Sequence, residues 1–346
     1  IRVKNVGIIG ATGYVGIELI RLLANHPKIK IKALSSVSFE GENIQEIYPN
    51  IRNIMDIECT NSQEVIKHSD IIFIALPHGL SEQIVFECIK NHKICIDLGA
   101  DFRLTKEEEY KKWYEKEYEI KEIHKEAVYG LSEIYRERIK MANIIANPGC
   151  YPTGASLGLI PLLKEGLIDE TSIIIDAKSG TTGAGREPSA ITHFSQCNEN
   201  IAPYKIASHR HIPEIEQTLS QISKNKIKVV FTPHLIPVNR GILSTIYCKK
   251  NVGICVEEVY KAYLDCYKNE PFIRVLPLGE IAKIKNVQHS NYCDISIHMD
   301  ERNNTIIILS AIDNMVKGAA GQAIQNMNIR MGWDEVEGLD FIPPAF

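Results

Sequence analysis

The sequence pairs none of its nine cysteines as C-x-x-C, carries no broad excess of one charge, and has neither a membrane-length apolar run nor an internal repeat nor a Pro/Gly-rich linker. Each absence removes a class of protein. The nearest cysteines, Cys88 with Cys95 and Cys248 with Cys255, stand seven apart among apolar residues, which is not zinc-ligand spacing, so no metal is expected. With 39 basic against 43 acidic side chains the formal charge is -4, which gives no positive field for phosphate backbones or anionic lipid. Neither nucleic acid nor a membrane is an expected partner. Residues 1–11 are apolar but run straight into a glycine loop, without a small-residue cleavage site or the length to span a bilayer, and they read as a strand. Nine cysteines without a secretion signal point to reduced thiols and a cytoplasmic location.

What is present fits two domains. At 346 residues and 45% hydrophobic side chains the chain exceeds one ordinary core and has the apolar content for two. In the first third, β-rich runs at 6–9, 29–34, 71–75, 94–98 and 144–146 alternate with helical segments, the pattern of an α/β domain with a Rossmann-type parallel sheet. A charged insert at 106–125, with Trp113 and several tyrosines, reads as a solvated helix pair over the sheet edge. From about residue 148 the β-rich runs lengthen and crowd together, at 173–177, 227–232, 241–249, 293–299 and 305–312. They predict an α+β domain on a mostly antiparallel sheet. The division expected is 1–147 for nucleotide binding and 148–314 for catalysis and oligomerisation, with a helix in 315–346, capped near Gly332, returning to the first domain. A cleft between the two is the default place for a site.

Gly10-Ala11-Thr12-Gly13-Tyr14-Val15-Gly16 follows the first strand and opens a helix, so its glycines suit a tight turn and a backbone approached by pyrophosphate. The spacing is G-x-x-G-x-x-G. At the end of the second strand, where a carboxylate would take the ribose hydroxyl of NAD, the chain offers Ser35, Ser36 and Ser38 instead. Hydroxyls and amides can bind a 2'-phosphate, which favours NADP.

Asn147-Pro148-Gly149-Cys150-Tyr151-Pro152-Thr153 follows a strand and precedes an apolar helical stretch. With Pro152 in a first helical position, Cys150 lies at or just before a helix N-terminus, where backbone donors and the helix dipole favour the thiolate. Pro161 is expected to bend or shorten that helix. The run from His209 to Glu216 supplies two imidazoles; with a helix from Pro213, His209 and His211 fall in the loop before it and Glu214 in its first turn. Arg210 adds a cationic fork suited to carboxylate or phosphate. From Asp176 to Arg186 a strand ends in a glycine-rich and hydroxyl-rich turn, including Ser179 and Gly180, that can form an anion nest for the substrate phosphate or for the cofactor.

These strings resemble the N-acetyl-gamma-glutamyl-phosphate reductases, relatives of the aspartate-semialdehyde dehydrogenases. The resemblance is carried by the glycine loop, Ala75-Leu-Pro77-His78-Gly79, Asp97-Leu-Gly-Ala-Asp101-Phe-Arg103-Leu104, Tyr129-Gly-Leu-Ser-Glu133, the 147–153 and 178–186 strings, His209-Arg210-His211-Ile-Pro-Glu214, Pro237-Val-Asn-Arg240-Gly241, and Asp313-Asn314 with the residues to Gln322. It implies NADPH-dependent reduction of an acyl phosphate through a thioester on Cys150, with an acid–base imidazole in His209–His211 and His211 favoured. It further implies Pro77 and Asn314 at the cofactor, the latter beside the nicotinamide. Arg103, Asn147, Arg186, Arg210 and Glu214 are the implied substrate contacts, and a homodimer or homotetramer the implied assembly. Another acyl phosphate, aspartyl or carrier-bound, and a non-catalytic NADP-binding regulator are the competing readings.

Overall fold

A computed structural model describes residues 3–345, so Ile1, Arg2 and Phe346 of the segments considered above lie outside the described residues. The chain divides into two compact units, residues 1–148 with 319–340 and residues 149–318 with 341–346.

The first unit contains a seven-stranded sheet of β1 (Lys4–Ile9), β2 (Ile29–Ser35), β3 (Cys59–Thr60), β4 (Ile71–Ile74), β5 (Ile94–Asp97), β6 (Val128–Tyr129) and β7 (Ile144–Ala146). Their order is β3-β2-β1-β4-β5-β7-β6 and every pairing is parallel. Burial explains that choice. Ile71 to Ile74 are all buried, a continuous apolar run of the kind that needs cover on both faces. The two-residue strands β3 and β6 carry no pattern that a sequence reading could find.

The 106–125 insert forms helices Glu107–Tyr114 and Lys121–Glu126, but it is less solvated than its charge suggests. Tyr110, Tyr114 and Tyr118 are buried, Tyr118 stacks on His124 at 3.6 Å between centroids, and Ile123 joins the core formed by Ile72, Ile74 and Val85. The charged residues occupy only the outer side. The last segment is also shorter than expected: after a π-helical turn at Val316–Ala320 the helix Gly321–Met331 ends at Gly332, whose φ of +67° is the left-handed stop. Residues 333–345 form turns and irregular chain rather than continuing the helix.

The second unit holds β8 (Ile174–Ser179), β9 (Ala202–Pro203), β10 (Val230–Leu235), β11 (Ile242–Lys249), β12 (Ile273–Val275), β13 (Cys293–Asp300) and β14 (Thr305–Ile312), in the order β12-β13-β14-β11-β8-β10-β9. Four of the six pairings are antiparallel and two, β12 with β13 and β8 with β10, are parallel. Alternation is strict along β11: Ser244, Ile246 and Cys248 are buried while Leu243, Thr245 and Tyr247 are half-buried on the other face. The buried face lies against the helix Cys150–Lys164, where a side chain on Gly158 would meet Ile246 at 2.8 Å.

That helix runs through Pro161 to Lys164 instead of stopping there. Proline removes the amide that would bond the carbonyl of Leu157, four residues back, and its ring crowds that oxygen. The helix Val256–Tyr267 supplies the missing donor: the Tyr267 hydroxyl donates to the Leu157 carbonyl at 2.5 Å, and the Tyr263 hydroxyl donates to the Gly158 carbonyl. Tyr267→Phe leaves the Leu157 oxygen buried without that donor, and we expect a loss of about 1–3 kcal/mol in urea unfolding. A variant as stable as the wild type would contradict this account of the proline.

Candidate active site

Cys150 is the first residue of its helix and Gly149 the N-cap, with extended φ and ψ of -69° and 158°. Pro152 is the third helical residue rather than the first, still within the turn whose amides have no intrahelical partner, so its missing N–H costs nothing. No side chain of its own caps the helix. The anchor comes from Glu214, 1% exposed, whose Oε1 accepts the Gly149 amide at 2.8 Å. Glu214 stands in the first turn of the helix Ile212–Ser223, with Pro213 second in that helix and His211 as N-cap. One carboxylate thereby ties together the starts of the two helices that carry the thiol and the imidazoles.

Around this tie lies an aromatic box. Tyr151 meets His209 and His211 edge-on at 5.5 and 5.9 Å between centroids, the two histidines lie 4.8 Å apart, and the Tyr151 and Tyr204 hydroxyls are 2.9 Å apart. Burial pushes both phenols up, so neither is a proton donor of ordinary acidity. Sequence reading missed both tyrosines, since nothing in the spacing of Tyr204 ties it to residue 151. Behind Cys150 the π-helical turn comes so close that a side chain on Gly318 would stand 2.8 Å from the Cys150 Cβ. Only glycine fits there.

The two histidines differ. His209 is buried and its Nδ1 accepts the backbone amide of His211 at 3.1 Å, which leaves its proton on Nε2. Burial, with Lys205 and Arg210 nearby, pushes its pKa down to about 3. His211 is half-buried and stands at the helix start. Arg210 is half-buried between them in sequence, while Arg186 is exposed at the end of the 180–186 turn.

That turn forms a 3-10 helix at Thr181–Ala184, followed by Gly185 at a φ of +90°. It is stitched to the loop before β11: Thr181 and Thr182 donate backbone amides to the Val238 and Asn239 carbonyls, and a side chain on Gly180 would strike the Asn239 carbonyl at 2.5 Å. Asn314, 2% exposed, completes the stitch by accepting the Gly241 amide at 2.7 Å and donating to the Thr182 hydroxyl at 3.0 Å. Ser179, Gly180 and Asn314 therefore share one cluster. An 810 Å³ cavity lined by Ser189, His193, Gln196, Cys197 and Leu235 opens in the same unit, where Leu235 pairs with Ser179.

In the first unit the glycine loop keeps its shape by three different means. Gly10 has a φ of +81° and would put a side chain 2.3 Å from the Ala75 carbonyl; Gly16 would strike the Gly10 carbonyl at 2.3 Å; Gly13 is the N-cap of the helix Tyr14–Leu23, where a side chain would meet only the Gly10 carbonyl, at an ordinary contact of 3.6 Å. The last of these leaves the first-turn amides of Tyr14 and Val15 approachable, a cradle that a pyrophosphate fits. The Gly10 and Ala11 amides both donate to the Ser35 carbonyl, and the Ser36 hydroxyl lies 2.7 Å from that of Thr12. Ser35 and Ser36 are buried holders of the loop, and of the three serines only Ser38 is exposed. Arg103 and Asn147 are buried too: Arg103 donates to the carbonyls of Asn147 and Leu98, and the Asn147 amide bonds the Ala319 carbonyl and Asn326. Both hold the first unit together at these contacts. Pro77 stands exposed after β4.

Comparison with known proteins assigns the class. A family model for the NAD-binding domain of semialdehyde dehydrogenase matches residues 5–142, and one for the semialdehyde dehydrogenase dimerisation domain matches residues 150–314. Among solved structures, aspartate semialdehyde dehydrogenase II of Vibrio cholerae complexed with ASA superposes with a TM-score of 0.74 at 18% identity, covering 96% of this chain and 99% of that one. Aspartate semialdehyde dehydrogenase with NADP from Candida albicans gives 0.69 at 17% identity, covering 94% and 98%. At such identities the likeness is one of fold. The sequence relatives are far nearer: N-acetyl-gamma-glutamyl-phosphate reductases of Clostridium botulinum (strain Eklund 17B / Type B) and Clostridium beijerinckii are 60% and 57% identical, each alignment covering 99% of both chains, and that of Brachyspira hyodysenteriae is 56% identical over 99% of both. The chain belongs to the N-acetyl-gamma-glutamyl-phosphate reductase family.

The lowered pKa of His209 makes a signed prediction. Its neutral ring contributes stability in full above pH 6.5, and this is lost progressively as pH falls from 6.5 to about 3. Nitrogen NMR of the labelled protein at pH 5 is expected to show His209 neutral with its proton on Nε2; a protonated ring at that pH would refute the assignment.

Proposed function

We propose that the chain reduces N-acetyl-gamma-glutamyl phosphate to the corresponding semialdehyde and phosphate, with NADPH as the reductant, through a thioester on Cys150, and so serves arginine biosynthesis. The observation that carries the reading is the Glu214–Gly149 tie, which places a thiol at one helix start beside a second helix start bearing His211. The Cys150 thiolate attacks the acyl carbon; a C–S bond forms, the C–O bond to phosphate breaks, and phosphate leaves. Bound NADPH supplies the hydride that reduces the thioester. The hemithioacetal left on Cys150 then collapses, the carbonyl of the semialdehyde re-forming as the sulfur departs as thiolate. His211, accessible where His209 is not, holds the proton exchanged with the thiol and with the hemithioacetal oxygen. His209 orients it through the backbone contact at Nδ1. Backbone amides of the first turn of the Cys150 helix serve the developing oxyanion in this reading.

The cofactor reading draws on the glycine cradle and on the absence of a carboxylate at the end of β2, which favours the 2'-phosphate of NADP, with Ser38 as the exposed hydroxyl. Ser179, Gly180 and Asn314 complete the nicotinamide side of this reading, and Arg186 and Arg210 the anion contacts. The matched dimerisation domain and the half-buried face of the second sheet, with Leu243, Tyr247, Ile307 and Leu309, support a homodimer or homotetramer. No helix among the described residues is long and apolar enough to cross a membrane, and no disulfide forms among them. A cytoplasmic setting agrees with nine reduced thiols.

Mass spectrometry of protein mixed with the acyl phosphate but no NADPH is expected to find an N-acetylglutamyl adduct on Cys150. Cys150→Ser turning over at the wild-type rate would exclude the covalent route, and an adduct only with aspartyl phosphate would exclude the substrate. Replacing the histidines one at a time separates their roles: His211→Asn is expected to lower kcat by about 100-fold or more, and His209→Asn by less. The reverse order in steady-state assays would move the acid–base role to His209.

A further inference from the structure

The loop between β4 and the helix Glu82–Lys90 has no secondary structure of its own, yet it is held on buried charge. Its Gly79 and Ser81 amides donate to the two oxygens of Asp101, at 2.6 and 3.0 Å, and the Tyr110 hydroxyl donates to the same carboxylate at 2.8 Å. Ser81 also donates its hydroxyl to Asp97 at 2.9 Å. Asp97 and Asp101 are both wholly buried, 0% exposed. Two carboxylates brought this close inside a fold are costly to keep. Burial, with Asp101 beside it, raises the Asp97 carboxyl to about 7, and one Asp97 oxygen has no hydrogen-bond partner. A loop that needed only to be closed would be served by neutral side chains.

Position explains the expense. β4 is the parallel neighbour of β1, and the two loops that leave their carboxyl ends touch, since a side chain on Gly10 would sit 2.3 Å from the Ala75 carbonyl and 3.2 Å from Leu76. The carboxyl edge of a doubly wound sheet is where nucleotides bind. On this loop Pro77 and Leu80 are exposed apolar residues, Leu80 at 54%, above a base that is entirely buried.

We propose that Asp101 is a positioning residue for the cofactor: by fixing the Gly79 and Ser81 amides it holds residues 77–81 as a preformed apolar wall, Pro77 and Leu80, beside the glycine loop. The inference rests on the reading of this edge as a nicotinamide dinucleotide site. A preformed wall lowers the ordering cost of binding. Tyr110 steadies the carboxylate from the helix Glu107–Tyr114, which gives the 106–125 insert a part in cofactor binding.

Asp101→Asn leaves one acceptor for two amides and turns an NH2 toward a donor. By fluorescence titration NADPH is expected to bind about tenfold more weakly, while kcat at saturating NADPH and the KM for the acyl phosphate stay within about twofold. Tyr110→Phe, a milder change on the same carboxylate, is expected to weaken NADPH about threefold. Folded Asp101→Asn binding NADPH as the wild type does would overturn the proposal, as would a loss falling equally on both substrates. If Asp101→Asn does not fold, unchanged NADPH affinity in Tyr110→Phe overturns it instead. Wild-type protein that failed to bind NADPH would overturn the cofactor reading, and this inference with it.

Discussion

The arrangement of the candidate site in the second unit depends on one hydrogen bond, from the Gly149 amide to Glu214. A helix start offers unpaired amides to whatever anion lies there, and an N-cap of glycine has no side chain with which to spend them. By taking the Gly149 amide, Glu214 fixes the backbone one residue before the thiol and brings the helix of His211 alongside. The remaining features follow from it. Tyr151, next in sequence, faces the two imidazoles, and the π-helical turn can close on Cys150 only because residue 318 is glycine. The carboxylate works through the backbone it holds, so its effect on the thiol is one of placement.

Local sequence made the frame legible, and long-range partners decided the details. The five long strands of the parallel sheet stand within about two residues of their apolar runs, because strands buried on both faces leave a continuous signature. The Gly149–Pro152 string announced a helix start for a local reason, backbone geometry. What Glu214 does there was not legible, because its partner is 65 residues away and a glutamate beside two histidines reads equally well as a substrate contact. Arg103 and Asn147 carry the same lesson. A buried guanidinium donating to carbonyls 5 and 44 residues distant is indistinguishable in sequence from an anion receptor. Ser35 and Ser36 likewise sit where a phosphate ligand was expected and spend their polar groups on the glycine loop itself.

Both units use buried polar groups as fasteners for loops. Asn314 in the second and Asp101 in the first each satisfy amides of a segment without regular structure, and each leaves exposed residues on the far side of that segment. An apolar fastener would close such loops without fixing their conformation. A hydrogen-bonded one selects a single arrangement, at the cost of a desolvated group that has to be fully occupied.

The tyrosine pair that bridges the Pro161 break has a consequence for the chain during its synthesis. The helix bearing Cys150 lacks a donor for the Leu157 carbonyl until residues 263 and 267 exist, and the closing glycine comes later still, at position 318. At translation speeds of about 5–20 residues per second, the nascent polypeptide passes on the order of ten seconds between exposing the thiol and acquiring the parts that seat it. Through that interval the sulfur belongs to an unfinished helix on the ribosome, so the surroundings of Cys150 mature among the last parts of the molecule although the residue lies near the middle of the message.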